Sequence, residues 1–260
     1  MQISENINGL LIDLEGVLYN DNQLIPGSID VIKELKRVGL KLRFLTNTTT
    51  APRKKILEKL LNFGFDIEEK EIFTPIIATK NYLRDNTVKK ISLVTNIEII
   101  EEFKEYEITQ KDPEAIIMGD IYKNFNWDIL DRIFKLVYIN NAALIALHQN
   151  KYCMRDGQVS LDLGPFVRAI EYASNKKSIL MGKPEKNFFD LAINSLNLNK
   201  DEILMIGDDI ISDIKGSKDN LIKAIQVKTG KYQKHDENSN FIQPDIRIKS
   251  INDLPNVINN

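Results

Sequence analysis

Short apolar runs that end in polar or acidic residues recur along the chain, and between them apolar residues fall three and four apart. Leu10-Leu11-Ile12 runs into Asp13, a Pro26-Gly27 turn follows, and Ser28 stands where it would cap the amphipathic stretch Ile29 to Val38. The pattern repeats. Leu40 to Leu45 reads as a strand, Thr46 to Thr50 as a polar loop, and Arg53 to Phe63 carries Ile56, Leu57, Leu60 and Leu61 at helical spacing before Gly64. Thr74-Pro75 is a cap followed by proline at the first helical position, opening a helix to about Leu83. Strand and helix in alternation predict an α/β fold with a doubly wound, parallel, Rossmann-like sheet.

The middle of the chain alternates in the same way. Strands are expected at Lys90–Thr95, Ala115–Met118 and Ala143–Leu147, and helices near Ile97–Phe103, Trp127–Val137 and Phe166–Ala173. These strands end in Thr95, Met118-Gly119 and His148, and none continues into a carboxylate cluster, so this unit is expected to cover a site rather than build one. The loops at Gly119–Asn124 and His148–Asp156 carry no ligand motif. From Ser178–Met181 the grammar of the first part resumes, with a helix over Glu185–Leu196, a strand at Ile203–Ile206, a helix from Ile210 and a strand at Lys223–Val227. The reading is a discontinuous core, residues 1–82 and 176–260, interrupted by an α/β insertion at 83–175.

Composition narrows the chemistry. With 35 Lys+Arg against 37 Asp+Glu the net charge is −2, so nucleic acid is disfavoured as a partner. No apolar run approaches the roughly 18 residues of a membrane span. Met1 to Gly9 is polar and acidic, and the expected location is the cytoplasm. One cysteine, Cys153, and two histidines, His148 and His235, leave any metal to be held mainly by oxygen. Cys153 reads as a small packing residue, His148 as a partly exposed histidine without a chemical role, and Phe125-Asn126-Trp127 and Phe188-Phe189 as helix-face core.

In open parallel sheets, ligands collect at the carboxyl ends of the strands. Four such ends here are polar: Asp13-Leu14-Glu15-Gly16, Thr46-Asn47, Gly182-Lys183-Pro184, and Gly207-Asp208-Asp209 with Asp213 beyond. Together they offer a carboxylate nucleophile, hydroxyl and amide donors, one cation, and an acidic cluster suited to a hard, oxygen-preferring ion such as Mg²⁺.

Those four segments, in that order, resemble the haloacid dehalogenase superfamily. DLEGVLY at Asp13–Tyr19, RFLTNTT at Arg43–Thr49, GKPEKNFFD at Gly182–Asp190, MIGDDIISD at Met205–Asp213 and VKTGKY at Val227–Tyr232 are similar to its subfamily IIA, whose inserted domain is a C2-type cap. Each motif is weak alone, and four at four strand ends are a strong signal. The resemblance implies a Mg²⁺-dependent phosphatase for a small phosphorylated molecule, with Asp13 attacking phosphorus to form an aspartyl-phosphate. It further implies that Thr46 and Asn47 bind the phosphoryl group and that Lys183 neutralises it. Asp13, Asp208 and the carbonyl of Glu15 would ligate metal, and Asp209 or Asp213 would support it, one of the two being only structural. Relatives that pair through their caps imply a homodimer. Glu15 departs from the pattern: it stands where phosphatases of the superfamily carry an aspartate as general acid and base, and it either transfers the proton with one methylene too many or has swung out of the site. Two other readings are a phosphatase for phospholysine, phosphohistidine or pyrophosphate, and a weakened phosphate-binding protein. A dehalogenase is disfavoured, because the acidic cluster makes sense only with a cation.

Overall fold

The computed structural model describes residues 6–155, 158–238 and 242–258. Residues 1–5 of the polar N-terminal segment, and Asp156 of the loop after His148, lie outside them. The chain divides into two compact units: Met1–Thr46, Arg53–Phe73 and Lys183–Asn260 form one, and Asn47–Pro52 with Thr74–Gly182 the other.

The first unit is built on a six-stranded parallel sheet. Its order is Ile246–Ile248, Lys223–Val227, Ile203–Gly207, Gly9–Asp13, Lys41–Leu45, Ile72–Phe73. Gly9–Asp13 and Ile203–Gly207 are buried at every position, as parallel strands covered on both faces must be, and this is why they read as unbroken apolar runs. Register places Ile12 beside Ile206 and Phe44, and Asp13 beside Leu45, so the polar residues that follow these strands leave the sheet at one end. The helix Lys186–Leu196 buries Phe188, Phe189, Ala192, Ile193 and Leu196, and Ser28–Arg37 buries Val31, Ile32 and Leu35.

Ser28 does not cap its helix as expected. The helix begins at Ser28 itself, after Gly27 in the left-handed region (φ 79°), and the buried Ser28 hydroxyl donates to the Leu18 carbonyl at 3.0 Å. A loop carbonyl removed from water takes the hydroxyl that a cap would have used.

The second unit has its own five-stranded parallel sheet, in the order Ile179–Leu180, Ala143–Ala146, Ala115–Met118, Lys90–Val94, Glu107–Ile108. Helices Trp127–Tyr138 and Leu163–Ser174 pack on it through Ile133, Leu136, Val137, Val167 and Ile170. The helix Pro75–Asp85 starts as expected, with Thr74 Oγ1 accepting from Ile77 N–H and proline next. Two readings are corrected here. Trp127 is 73% exposed rather than core, because it lies in the first turn of its helix on the solvent side, while Phe125 stacks on Phe166 at 3.9 Å between ring centres. His148 is buried, not partly exposed, and its Nε2 lies 3.5 Å from Asp162 Oδ1. The strand ends of this unit do gather carboxylates: Arg155, on the hairpin Tyr152–Arg155/Gln158–Leu161, is paired with buried Asp120 and lies 3.9 Å from buried Asp162.

Candidate active site

Asp13 is the last residue of the central strand, and the chain leaves it through a tight loop. Leu18 N–H donates to the Leu14 carbonyl, and Gly16 N–H to that of Tyr19. Gly16 takes φ 89°, and a Cβ there would meet Asp208 Oδ2 at 2.0 Å, so glycine is what allows this loop to lie against the next strand end.

Lys183 is the hinge of the charge arrangement. Its Nζ donates to Asp13 Oδ1 at 2.7 Å and to Asp213 Oδ1 at 2.6 Å, and the lysine is 3% exposed. Burial alone would push its pKa down, but the two carboxylates outweigh burial and hold the ammonium charged. Asp213 is fully buried and its Oδ2 also accepts from Asp209 N–H at 3.1 Å. Its carboxyl is pushed up to about 7, by burial first and then by Asp13 and Asp209 against the pull of Lys183. Asp208 is driven well above the ordinary value by burial and by the charges of Asp13 and Asp213.

The helix expected from about Ile210 is present, and its first turn is widened. Ile210–Lys215 is a π-helical segment in which Ile214 N–H bonds the Asp209 carbonyl at 3.2 Å, and an α-turn, Gly216–Asp219, follows. Asp209 caps it, Oδ1 accepting from Ile211 and Ser212 N–H. Desolvation works against the charge on Asp209, yet Lys231 and those two N–H groups hold its pKa below the ordinary value.

One oxygen each of Asp13, Asp208 and Asp213 lie within 4.8 Å of one another. Three buried carboxylates against one lysine are short of positive charge. Asp208 Oδ1 is buried and has no hydrogen-bond partner among the described residues. An orphaned anionic oxygen in such a cluster fits a hard divalent cation, and the all-oxygen donor set suits Mg²⁺ rather than a softer metal.

The expected site residues are thus not all alike. Asp13, Lys183 and Asp213 are brought into contact, Asp208 lies with an oxygen within 4.8 Å of those of Asp13 and Asp213, and Asp209 adjoins. Thr46 is buried at the end of Lys41–Leu45, its N–H bonded to the Phe73 carbonyl at 3.1 Å, whereas Asn47 belongs to the second unit. Glu15 turns its carboxylate to the hairpin that follows: Oε1 accepts from Asp21 N–H at 2.6 Å, at a residue held left-handed with φ 49°. Two contributors had no role assigned from the sequence, although Lys231 lies within VKTGKY. Gln226, fully buried in Lys223–Val227, donates to the Asp208 carbonyl at 3.1 Å, and Lys231 N–H donates to Asp208 Oδ2 at 2.6 Å. The signal for Gln226 was available as an amide inside an otherwise apolar strand.

Two family models match the chain, one for haloacid dehalogenase-like hydrolases over residues 10–109 and one for a related hydrolase family over 180–254. Haloacid dehalogenase-like hydrolase domain-containing protein 2 of Homo sapiens is 38% identical over 89% of this chain and 88% of its own length. The chain belongs to the haloacid dehalogenase-like hydrolases. Among other relatives in the family, phospholysine phosphohistidine inorganic pyrophosphate phosphatase of Xenopus laevis is 35% identical over 90% of this chain and 88% of its own length. A solved 4-nitrophenylphosphatase from Thermotoga maritima superposes with a TM-score of 0.88 at 25% identity, covering 97% of both chains. The protein is a hydrolase on the phosphatase branch of the family, with the α/β fold expected of it. Among the described residues no helix is long and apolar enough to cross a membrane.

Proposed function

We propose that the protein is a Mg²⁺-dependent phosphatase for a small phosphorylated molecule, with Asp13 as nucleophile. The observation that carries this reading is the three-way contact of Asp13, Lys183 and Asp213 beside the orphaned Asp208 oxygen. The Asp13 carboxylate attacks phosphorus and displaces the alcohol of the ester, giving an aspartyl-phosphate, and water then breaks that new P–O bond to free inorganic phosphate and restore the carboxylate, so one hard displacement becomes two easier ones. Lys183 keeps its charge because two anions flank it, and it neutralises both Asp13 and the incoming phosphate. Thr46 supplies the hydroxyl at the neighbouring strand end, and Asn47 orients the phosphoryl oxygens. Asp13, Asp208 and the Glu15 carbonyl would hold the ion, with Asp209 outside them. Asp213, both of whose oxygens are already engaged, serves Lys183 instead. Mg²⁺ supplies the second positive charge that phosphoryl transfer requires.

The identity of one relative as a phospholysine, phosphohistidine and pyrophosphate phosphatase supports a second reading, in which the scissile bond is P–N or P–O–P. Turnover of p-nitrophenyl phosphate, pyrophosphate and phospholysine by EDTA-treated protein, with and without added Mg²⁺, tests both. Mg²⁺-dependent release of phosphate from the aryl ester supports the first, and a strong preference for either of the other compounds moves the assignment to the second. Absence of turnover on all three, with phosphate still bound, leaves a binding protein and overturns both.

A further inference from the structure

The segment after the strand Lys223–Val227 reaches across the acidic cluster. Thr229 Oγ1 donates to the Gly16 carbonyl at 2.5 Å, tying the segment to the loop that leaves Asp13. Gly230 takes φ 62°, and a Cβ there would meet Asp208 Oδ2 at 2.0 Å and the Gly16 Cα at 2.5 Å. Only glycine permits so close a backbone approach. Lys231 N–H then donates to Asp208 Oδ2 at 2.6 Å, while Asp208 Oδ1, in a residue 1% exposed, has no hydrogen-bond partner among the described residues. The Lys231 ammonium is 62% exposed and lies 3.4 Å from Asp209 Oδ2, so the side chain faces Asp209 while the main-chain N–H serves Asp208.

We infer that Thr229-Gly230-Lys231 is a latch that commits one oxygen of Asp208 to a backbone N–H, leaves the other as a single-oxygen ligand, and so makes the site discriminate against ions that use both. The inference rests on the metal-dependent reading above. Mg²⁺ takes six separate oxygens at short, near-octahedral distances, whereas Ca²⁺ takes six to eight and readily uses both oxygens of one carboxylate. A carboxylate with Oδ2 engaged by the Lys231 N–H, in a place so close to Gly16 and Gly230 that neither has room for a Cβ, satisfies the first ion and frustrates the second. The selective element is then a main-chain hydrogen bond, and the lysine side chain is incidental to it.

The test is calorimetric titration of metal-stripped protein with Mg²⁺ and with Ca²⁺, in the wild type and in Lys231→Pro, Lys231→Met and Thr229→Val. Lys231→Pro removes the N–H, and the preference for Mg²⁺ over Ca²⁺ should fall by about fivefold or more as the second oxygen becomes free to bind. Thr229→Val loosens the anchor and should move the preference the same way by less. Lys231→Met keeps the N–H and should leave the preference at its wild-type value. An unchanged preference in a cooperatively melting Lys231→Pro overturns the latch. If that variant does not fold, an unchanged preference in Thr229→Val does so, as does a Lys231→Met that shifts as far as the proline. A wild-type protein that takes up neither ion overturns the metal-dependent reading itself.

Discussion

Lys183 donates to Asp213 across 2.6 Å with both side chains sealed from solvent, the ammonium 2% and the carboxylate 0% exposed. Such a pair is costly to desolvate and contributes to a working site only when every charge has a use. Here Asp213 gives the lysine a fixed position, the lysine reaches Asp13, and Asp208 keeps one buried oxygen without a hydrogen-bond partner among the described residues.

Replacing Lys183 by Met should cost about 3–5 kcal/mol of stability, because it leaves Asp13 and Asp213 buried without their cation. The loss should be greater at pH 8 than at pH 5, since protonation offers the stranded carboxyls an escape that higher pH removes. Urea unfolding at the two pH values checks this, and a pH-independent loss would indicate that packing, not charge, was removed.

Asp208 and Asp213 both have raised pKa values, the latter about 7, chiefly through burial. The folded state therefore binds more protons than the unfolded chain from about pH 4 to about pH 7, and these groups take stability away as pH rises through that window. Asp208→Asn removes one of them. In the metal-free protein its melting temperature should exceed that of the wild type by a margin that widens from pH 5 to pH 7.5, and added Mg²⁺ should raise only the wild type substantially. A margin that narrows over that range would contradict the repulsion.

Asp13→Asn should lower turnover of p-nitrophenyl phosphate by about a thousandfold or more, since the amide neither attacks phosphorus well nor ligates metal as an anion. The fold should persist, because Lys183 retains Asp213. Wild-type single-turnover rates in this variant would remove Asp13 as nucleophile.

Glu15 accepts from Asp21 N–H with an oxygen that a glutamine also possesses. Glu15→Gln should therefore keep kcat within about twofold on both alkyl and aryl phosphates, with the same pH profile, whereas a residue that transfers protons would lose the alkyl esters first. Glu15→Ala should cost more than Glu15→Gln by freeing the left-handed turn at Asp21. Parallel pH profiles on the two substrate types decide between these roles.

Much of the fold was legible because its central strands are buried on both faces. Leu10-Leu11-Ile12 and Ile203–Ile206 announce themselves as apolar runs, and the polar residues that end the strands fall where a parallel sheet concentrates chemistry. The illegible parts are short or depend on distant partners. Ile72–Phe73, Glu107–Ile108 and Ile246–Ile248 hold too few residues to show a period, and they become strands by pairing with a sheet already formed. Ser28 looked like a cap because nothing in its neighbourhood reveals the Leu18 carbonyl it must satisfy. The direction of Glu15 was set by a turn six residues on, and the Asp208 hydrogen bond comes from Lys231, on another strand's exit loop.

The same limit hid the buried charges of the second unit. Asp120 lies 35 residues before Arg155, and it meets Arg155 and Asp162, at the two ends of one hairpin, only in the fold. Arg155→Met should cost about 2–4 kcal/mol by stranding two buried carboxylates, and adding Asp120→Asn should recover part of that loss. Urea denaturation of the single and double variants measures the coupling, and strict additivity would show that the pair does not interact.

The central strand Gly9–Asp13 is hydrogen-bonded on one side to Lys41–Leu45 and on the other to Ile203–Gly207. On a ribosome the first of these neighbours emerges soon after the strand itself, while the second appears only when most of the chain has been made. For that interval one edge of the strand is open, apolar and able to accept a stranger, which is the condition under which newborn chains aggregate or recruit holding factors. Fusing the segment that begins near Lys183 ahead of Gly9, as a circular permutation, would present both neighbours in quick succession and should raise the soluble yield at high expression temperature.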